Sequence, residues 1–213
     1  MSVEHPFLAV AGNIGSGKTT LTKKLVERLG VRGLFESTAA NPYLADFYHD
    51  MPRYALPLQL RFLAMRVGET RETQKAQVSA VQDRTCYEDA HIFAANLHAR
   101  GALDERDWET YQILAAQLFE GLTPPDLVVY LHRTPEGCRA QIQKRGREYE
   151  QSMPAGYLED LGMRYDGWFD SYALGPKLLI EGNDFDFLNR PEDLEAVVEL
   201  IANTLPQPSL PFV

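Results

Sequence analysis

The stretch Gly12-Asn13-Ile14-Gly15-Ser16-Gly17-Lys18-Thr19 fits the pattern G-x-x-x-x-G-K-[ST], and nothing else in the sequence restricts the fold so far. The apolar run Phe7-Leu8-Ala9-Val10 stands before it, and a segment of helical periodicity comes after. Strand, loop and helix in that order bring several backbone N–H groups and the positive end of a helix to one point, where phosphate oxygens are held. Lys18 can then neutralise the outer phosphates, and the Thr19 hydroxyl can hold Mg2+. An ordinary Gly-rich turn is the plain alternative, and the two flanks speak against it. The motif implies a nucleoside triphosphate site.

A chain of 213 residues suits one α/β domain, spanning 1–213, with a sizeable core. Its 21 Lys+Arg against 30 Asp+Glu give a net charge of -9, which repels polyphosphate backbones and argues against a nucleic acid polymer as partner. Cys86 and Cys138 form no C-x-x-C pair and read as reduced, buried thiols of a cytoplasmic protein. No run reaches membrane-spanning length and the first residues lack a basic, apolar leader, so neither a membrane anchor nor a signal peptide is expected. The histidines make no H-x-x-x-H pair, which leaves a protein-ligated zinc site without support.

Along the chain, Leu21, Leu25 and Leu29 recur at helical spacing, and Gly30 is a plausible stop. Val31 to Phe35 predicts a second strand ending at Glu36, where functional groups of parallel sheets gather, although a carboxylate opening a surface loop is commonplace. Asn41-Pro42 opens an aromatic-rich segment through Tyr48, Met51-Pro52 is expected to close a short helix, and a longer helix is expected after Pro57. On that helix Gln59, Phe62 and Arg66 fall at i, i+3 and i+7 and share one side, which could read a base edge; taken alone, they read as a solvated face. Gln77 to Gln82 predicts a strand running into Asp83-Arg84. Helices are expected near Glu88 to Arg100, carrying Asp89 and Phe93 at i and i+4, and around Asp107 to Leu118. Leu127 to Leu131 is the clearest buried strand, and a helix after it ends in Lys144-Arg145-Gly146-Arg147. Those arginines either complement a helix dipole or form a lid at about 144–152, pivoting at Gly146. Leu178 to Ile180 predicts a last strand, followed by a loop at Asp184-Phe185 and a helix from Pro191 to about Leu205. Five strands separated by helices imply a five-stranded parallel sheet covered on both faces, a three-layer α/β sandwich.

A phosphate loop alone does not separate motor, switch, synthase and small-molecule kinase. A kinase further needs a base, a cation for the transferring phosphoryl group, a metal ligand and an acceptor pocket. Glu36, the Arg84/Arg145/Arg147 set, Asp83 with Thr19, and the Tyr48/Gln59/Arg66/Asp89/Phe93 group can fill those places. No N-K-x-D guanine reader is present, which argues against a regulatory GTPase. A nucleoside-monophosphate kinase and a non-catalytic nucleotide-binding module remain as alternatives.

Over nearly its whole length the chain resembles the deoxynucleoside kinases, of the P-loop kinase-like fold, and within them the bacterial deoxyadenosine kinases. The resemblance rests on G-N-I-G-S-G-K-T, N-P-Y-L-x-x-F-Y-x-D, Gln59 with Arg66, Asp83-Arg84-Thr85 with Asp89 and Ile92-Phe93-Ala94, and Arg145-Gly146-Arg147 with Glu150. It implies ATP and Mg2+ as cofactors, a deoxynucleoside as substrate, and a homodimer. Glu36 would take the proton of the 5'-hydroxyl, with Arg84 holding that carboxylate and the reacting oxygens, and Lys18 on the phosphates. Thr19 and Asp83 would hold the metal. Tyr48 and Glu150 would bind the sugar 3'-hydroxyl; Gln59 and Asp89 would bond the base, Arg66 would organise Asp89, Phe93 would stack on the ring, and Phe62 would also contact the substrate. ATP would contact the loop from Gly12 to Thr20, the lid arginines Arg145 and Arg147, and Asp184-Phe185. The position of Asp83 is often Glu in the family, and Glu36 is often followed by Pro-Val where Ser37-Thr38 stand here. A charged wall of Arg66 and Asp89 suits a base with an exocyclic amine, which ranks deoxyadenosine first, deoxycytidine and deoxyguanosine next, and thymidine last.

Overall fold

A computed structural model describes residues 4–35 and 41–205. Its five strands are β1 (Phe7–Ala11), β2 (Arg32–Leu34), β3 (Ala80–Asp83), β4 (Leu127–His132) and β5 (Lys177–Glu181), in the order β2-β3-β1-β4-β5. Every pairing is parallel. In a parallel sheet both faces are buried, and the pleat sends successive side chains to opposite sides. Leu8 and Val10 of β1, with Val129 and Leu131 of β4, therefore join one core. Ala9 and Ala11, with Val128 and Tyr130, join the other.

The first core is closed by α1 (Lys18–Leu29) and α9 (Pro191–Thr204), through Leu21, Leu25, Val198 and Ile201. The second is closed by α3 (Met51–Ala76), which comes after the short α2 (Leu44–Phe47), and by a helical series. That series runs α4 (Cys86–Glu88), a π-helical stretch Asp89–Ala94, α5 (Ala95–Ala99) and α6 (Glu105–Phe119). Between β4 and β5 come α7 (Pro135–Arg145), a 3-10 turn Glu148–Ser152 and α8 (Tyr157–Ser171). The expected three-layer sandwich is present. No described helix is long and apolar enough to cross a membrane.

Three local expectations are corrected. Met51-Pro52 opens α3 rather than closing a helix: Asp50 caps it by accepting from Arg53 N (3.3 Å), and Pro52 lies in the first turn, whose N–H groups have no helical partner anyway. Pro57 lies inside α3 instead of before it, because Leu58, Phe62, Leu63 and Val67 bury a face large enough to outweigh one lost backbone bond. Gln77 to Ser79 is not strand. Gln77 ends α3 in the left-handed region (φ 49°), and pairing starts only at Ala80. The helix α8 is additional to the elements expected from the sequence.

Both thiols are free and buried, as expected. Burial pushes Cys86 up to about 12, with nearby Asp89 adding to it, and Cys138 up to about 11. Because the thiolate is the reactive form and burial disfavours it, both should resist an aromatic disulfide reagent at pH 8. We expect native labelling roughly a hundredfold or more slower than labelling in denaturant. A thiol that reacted at the denatured rate would show that its side of the sheet opens locally.

Candidate active site

The phosphate-binding loop leaves the carboxyl end of β1, the strand flanked by β3 and β4, where open parallel sheets place their ligands. Gly12 and Gly15 are dictated by space as well as angle. A Cβ on Gly12 would lie 2.7 Å from Leu131 O, and one on Gly15 (φ +80°) 2.5 Å from Cys138 O. Asn13 braces the loop: its Nδ2 donates to Leu158 O (2.8 Å), and its Oδ1 accepts from Ile14 N (2.8 Å). Lys18 Nζ donates back to Asn13 O (2.8 Å), and the buried Ser16 Oγ has no hydrogen-bond partner among the described residues. Thr20 stands half-buried in the first turn of α1.

Thr19 Oγ1 donates to Asp83 Oδ2 (2.5 Å) from the end of β3, while Asp83 Oδ1 is buried without a partner among the described residues. An orphaned carboxylate oxygen beside a hydroxyl is a fitting pair of donors for a hard cation. Among the described residues no three His, Cys, Asp or Glu cluster as a metal cage.

One cavity joins this end to the other predicted residues. Ile14, Gly15, Lys18 and Thr19 of the loop and its helix line one end; Tyr48, Gln59, Phe62, Arg66, Asp89 and Phe93 line the far end. Arg84, Arg145, Arg147 and Glu150 lie along it too. At the far end Arg66 Nε donates to Asp89 Oδ2 (2.6 Å), with both side chains at 5% exposure or less. Arg66 also lies over the Phe62 ring (5.4 Å). Gln59 is buried and its Oε1 has no partner among the described residues, so the wall offers acceptors to a ligand.

Arg84 is one of two described non-glycine residues with positive φ (74°), and its N donates to Val10 O (3.0 Å). Its guanidinium stacks on Phe93 (4.2 Å) and donates from Nη1 to Tyr165 Oη (2.7 Å). The expected lid arginines meet Glu150. Arg145 donates from Nη2 to its Oε1 (2.5 Å), and Arg147 Nη1 stands 3.7 Å from the same oxygen. Asp184 and Phe185 do not line this cavity. They lie beyond β5, where Arg133 ties the region to the phosphate loop: its Nε donates to Ser16 O (3.0 Å), and its other nitrogens reach Gly182 O and Asn183 Oδ1. Glu36 lies outside the described residues.

Several residues escape the sequence reading. Glu88 is fully buried, closing a capping box with Thr85 and accepting from Tyr165 Oη (2.8 Å). The Thr85-x-x-Glu88 spacing is a visible signal for it. Tyr149 stacks on Tyr48 (5.9 Å) and accepts from Arg147 Nη1 (3.1 Å). Tyr157 lines the cavity, and burial pushes its phenol up to about 12. Tyr149, Tyr157, Tyr165 and Arg133 act across the fold and leave no pattern in the sequence. Asp89 and Phe93 share the cavity, but on a π-helical stretch rather than the α-helix their spacing suggests.

The family profile described as deoxynucleoside kinase matches residues 8–206. The chain belongs to the deoxynucleoside kinase family. As a member, the enzyme is a phosphotransferase acting on deoxynucleosides. It is 38% identical to the deoxyadenosine/deoxycytidine kinase of Bacillus subtilis, over 95% of this chain and 94% of that one. It is 34% identical to a deoxyguanosine kinase of Lactobacillus acidophilus, over 93% and 90%. Its fold matches the deoxyadenosine kinase from M. mycoides solved with bound dATP, with a TM-score of 0.80 at 23% identity, covering 92% of this chain and 99% of that one. The kinase should tolerate no side chain at Gly15. Gly15→Ala is expected to cost at least about 2 kcal/mol of stability, from positive φ and the collision with Cys138 O, read by denaturant melts. Wild-type stability would mean that α7 yields freely.

Proposed function

We propose that the kinase transfers the γ-phosphoryl group of Mg-ATP to the 5'-hydroxyl of deoxyadenosine, ahead of deoxycytidine and deoxyguanosine, with thymidine last. The observation that carries this is a single cavity with Lys18 and Thr19 at one end and Gln59, Phe93 and the Arg66–Asp89 pair at the other. Asp89 and the unpartnered Gln59 Oε1 are acceptors, and adenine and cytosine present an exocyclic N–H to such a wall. Relatives named for deoxyadenosine, deoxycytidine and deoxyguanosine support the substrate class.

In the proposed reaction the 5'-oxygen forms a bond to the γ-phosphorus as that phosphorus parts from the β–γ bridging oxygen, releasing ADP. The hydroxyl proton passes to Glu36, two positions beyond the last residue of β2 in the chain. Arg84 steadies that carboxylate and the reacting oxygens, and Lys18 takes up charge developing on the phosphates. Thr19 and Asp83 would hold Mg2+, which supplies neutralisation of the β and γ oxygens when bound. Tyr48 and Glu150 receive the sugar 3'-hydroxyl, and Phe62 and Phe93 flank the base. Arg145 and Arg147, in a lid at about 144–152, exchange part of their bonding from Glu150 to phosphate. Asp184 and Phe185 border the adenine of ATP, a placement supported by the Arg133 tie from Ser16 to Gly182 and Asn183. The working unit is one domain, a cytoplasmic salvage enzyme and homodimer. The exposed Ile113 and Leu114 of α6 support the last point, which light scattering tests directly.

The deciding assay measures product formed from Mg-ATP with each deoxynucleoside and with dAMP. Fast 5'-monophosphate formation from deoxyadenosine, with dAMP inert, is the expected result. Turnover of dAMP alone would move the protein to the monophosphate kinases, and no acceptor-dependent turnover would leave a binding module. Glu36→Gln should lower kcat by on the order of a hundredfold with little change in nucleoside KM. Near-normal turnover would remove Glu36 as the base. Asp89→Asn keeps the shape of the wall but loses its charge, and should lower the preference for deoxyadenosine by about tenfold or more in kcat/KM. An unchanged order of bases would take Asp89 out of recognition.

A further inference from the structure

Behind Arg84 lies a chain of buried polar groups for which the proposed reaction has no use. Glu88 has a side chain with no exposure, Arg84 is 6% exposed, and Tyr165 is fully buried. Glu88 Oε2 accepts from Thr85 N (2.7 Å) and Thr85 Oγ1 (3.1 Å), which fixes the carboxylate. Its other oxygen, Oε1, accepts from Tyr165 Oη (2.8 Å), and Tyr165 Oη in turn accepts from Arg84 Nη1 (2.7 Å).

The direction of this chain follows from Arg84. A guanidinium has only donors, so an oxygen lone pair of Tyr165 must face it and the single phenol proton goes to the Glu88 oxygen. Burial raises the Tyr165 phenol well above its ordinary range, so the hydroxyl keeps that proton throughout the working pH range. The hydroxyl also acts as a spacer. Arg84 Nη1 stands 4.0 Å from Glu88 Oε1, too far for a hydrogen bond, with Tyr165 Oη bonded to both. Without it, a buried carboxylate and a buried guanidinium would draw together, and Arg84 would turn from the cavity it lines.

We propose that Tyr165 and Glu88 are positioning residues: the Glu88–Tyr165 relay sets the orientation of the Arg84 guanidinium in the active site. Phe93 fixes the plane of the group from one face (4.2 Å), and the left-handed backbone of Arg84 fixes where its side chain starts. The relay restrains rotation of the group within that plane. This proposal rests on the catalytic role given above to Arg84.

Tyr165→Phe is the suitable cut, because a phenyl ring keeps the stack on Tyr130 (5.6 Å between centroids). The test is a double-mutant cycle of wild type, Tyr165→Phe, Arg84→Lys and the double variant, with kcat and both KM values read for deoxyadenosine and ATP. Tyr165→Phe is expected to lower kcat by about tenfold or more and to move the deoxyadenosine KM by less than about threefold. In the Arg84→Lys background the same change should alter kcat by less than about twofold, since the group it orients is gone. A purely structural tyrosine would lower melting temperature without that split and would act equally in both backgrounds. Wild-type kcat in Tyr165→Phe, or an equal loss with and without Arg84, overturns the proposal. If Arg84→Lys itself keeps wild-type kcat, the reading of Arg84 fails instead, which is a separate result. Glu88→Gln cuts the same chain at its far end, and the same criteria decide on it should Tyr165→Phe not fold.

Discussion

Burial of β1 on both faces is the constraint on which the rest of the molecule depends. A strand paired on both edges and packed on both faces can leave the sheet only along its own axis, so the chain after Ala11 must turn at the carboxyl edge. The loop there is walled by Leu131 O and Cys138 O so closely that only glycine fits at Gly12 and Gly15. The amides of the loop, the end of β3 with Asp83 and Arg84, and the start of α7 are thereby brought together by the packing of hydrophobic residues.

The second core accepts an unusual density of charge. Arg66, Arg84, Glu88 and Asp89 are all nearly fully buried, three of them within a run of six residues. Desolvating such groups costs several kcal/mol each unless every lone pair and proton finds a partner. Here the partners are arranged in two systems. Arg66 and Asp89 bond each other in the cavity wall, and Glu88 reaches Arg84 through Tyr165. Replacing such buried pairs by hydrophobic residues of the same size is often neutral or stabilising. The charges give the cavity fixed donors and acceptors in a low-dielectric setting, where each counts for more than in water.

The sequence discloses the fold through local signals of high information: the phosphate loop with its flanks, the period-two strands, and the leucine face of α1. It discloses the site wherever residues on one element share a face, as Gln59, Phe62 and Arg66 do on α3, all lining the cavity. It fails where one force overrides another. Pro57 reads as a boundary, yet the buried face of α3 carries the helix through it. It also fails where the partner is far along the chain. Tyr165 lies 77 residues from Glu88 and 81 from Arg84, and nothing in its own neighbourhood marks it as polar machinery. Asp184 and Phe185 illustrate a third case: they lie outside the cavity, and it is their neighbours Gly182 and Asn183 that Arg133 ties to Ser16 of the loop.

The π-helical stretch Asp89–Ala94 limits how this chain can change in length. A π turn inside an α-helix accommodates one extra residue without altering the direction of the helix beyond it. Each residue of α-helix advances the side chains by about 100°, and the wider π turn takes up one such step. Deleting one residue inside it would restore the tighter spiral and leave Asn96 and Leu97 buried, so the loss would fall on the cavity wall that Asp89 and Phe93 form. Deleting one residue from α4 would instead swing everything after it round by that angle.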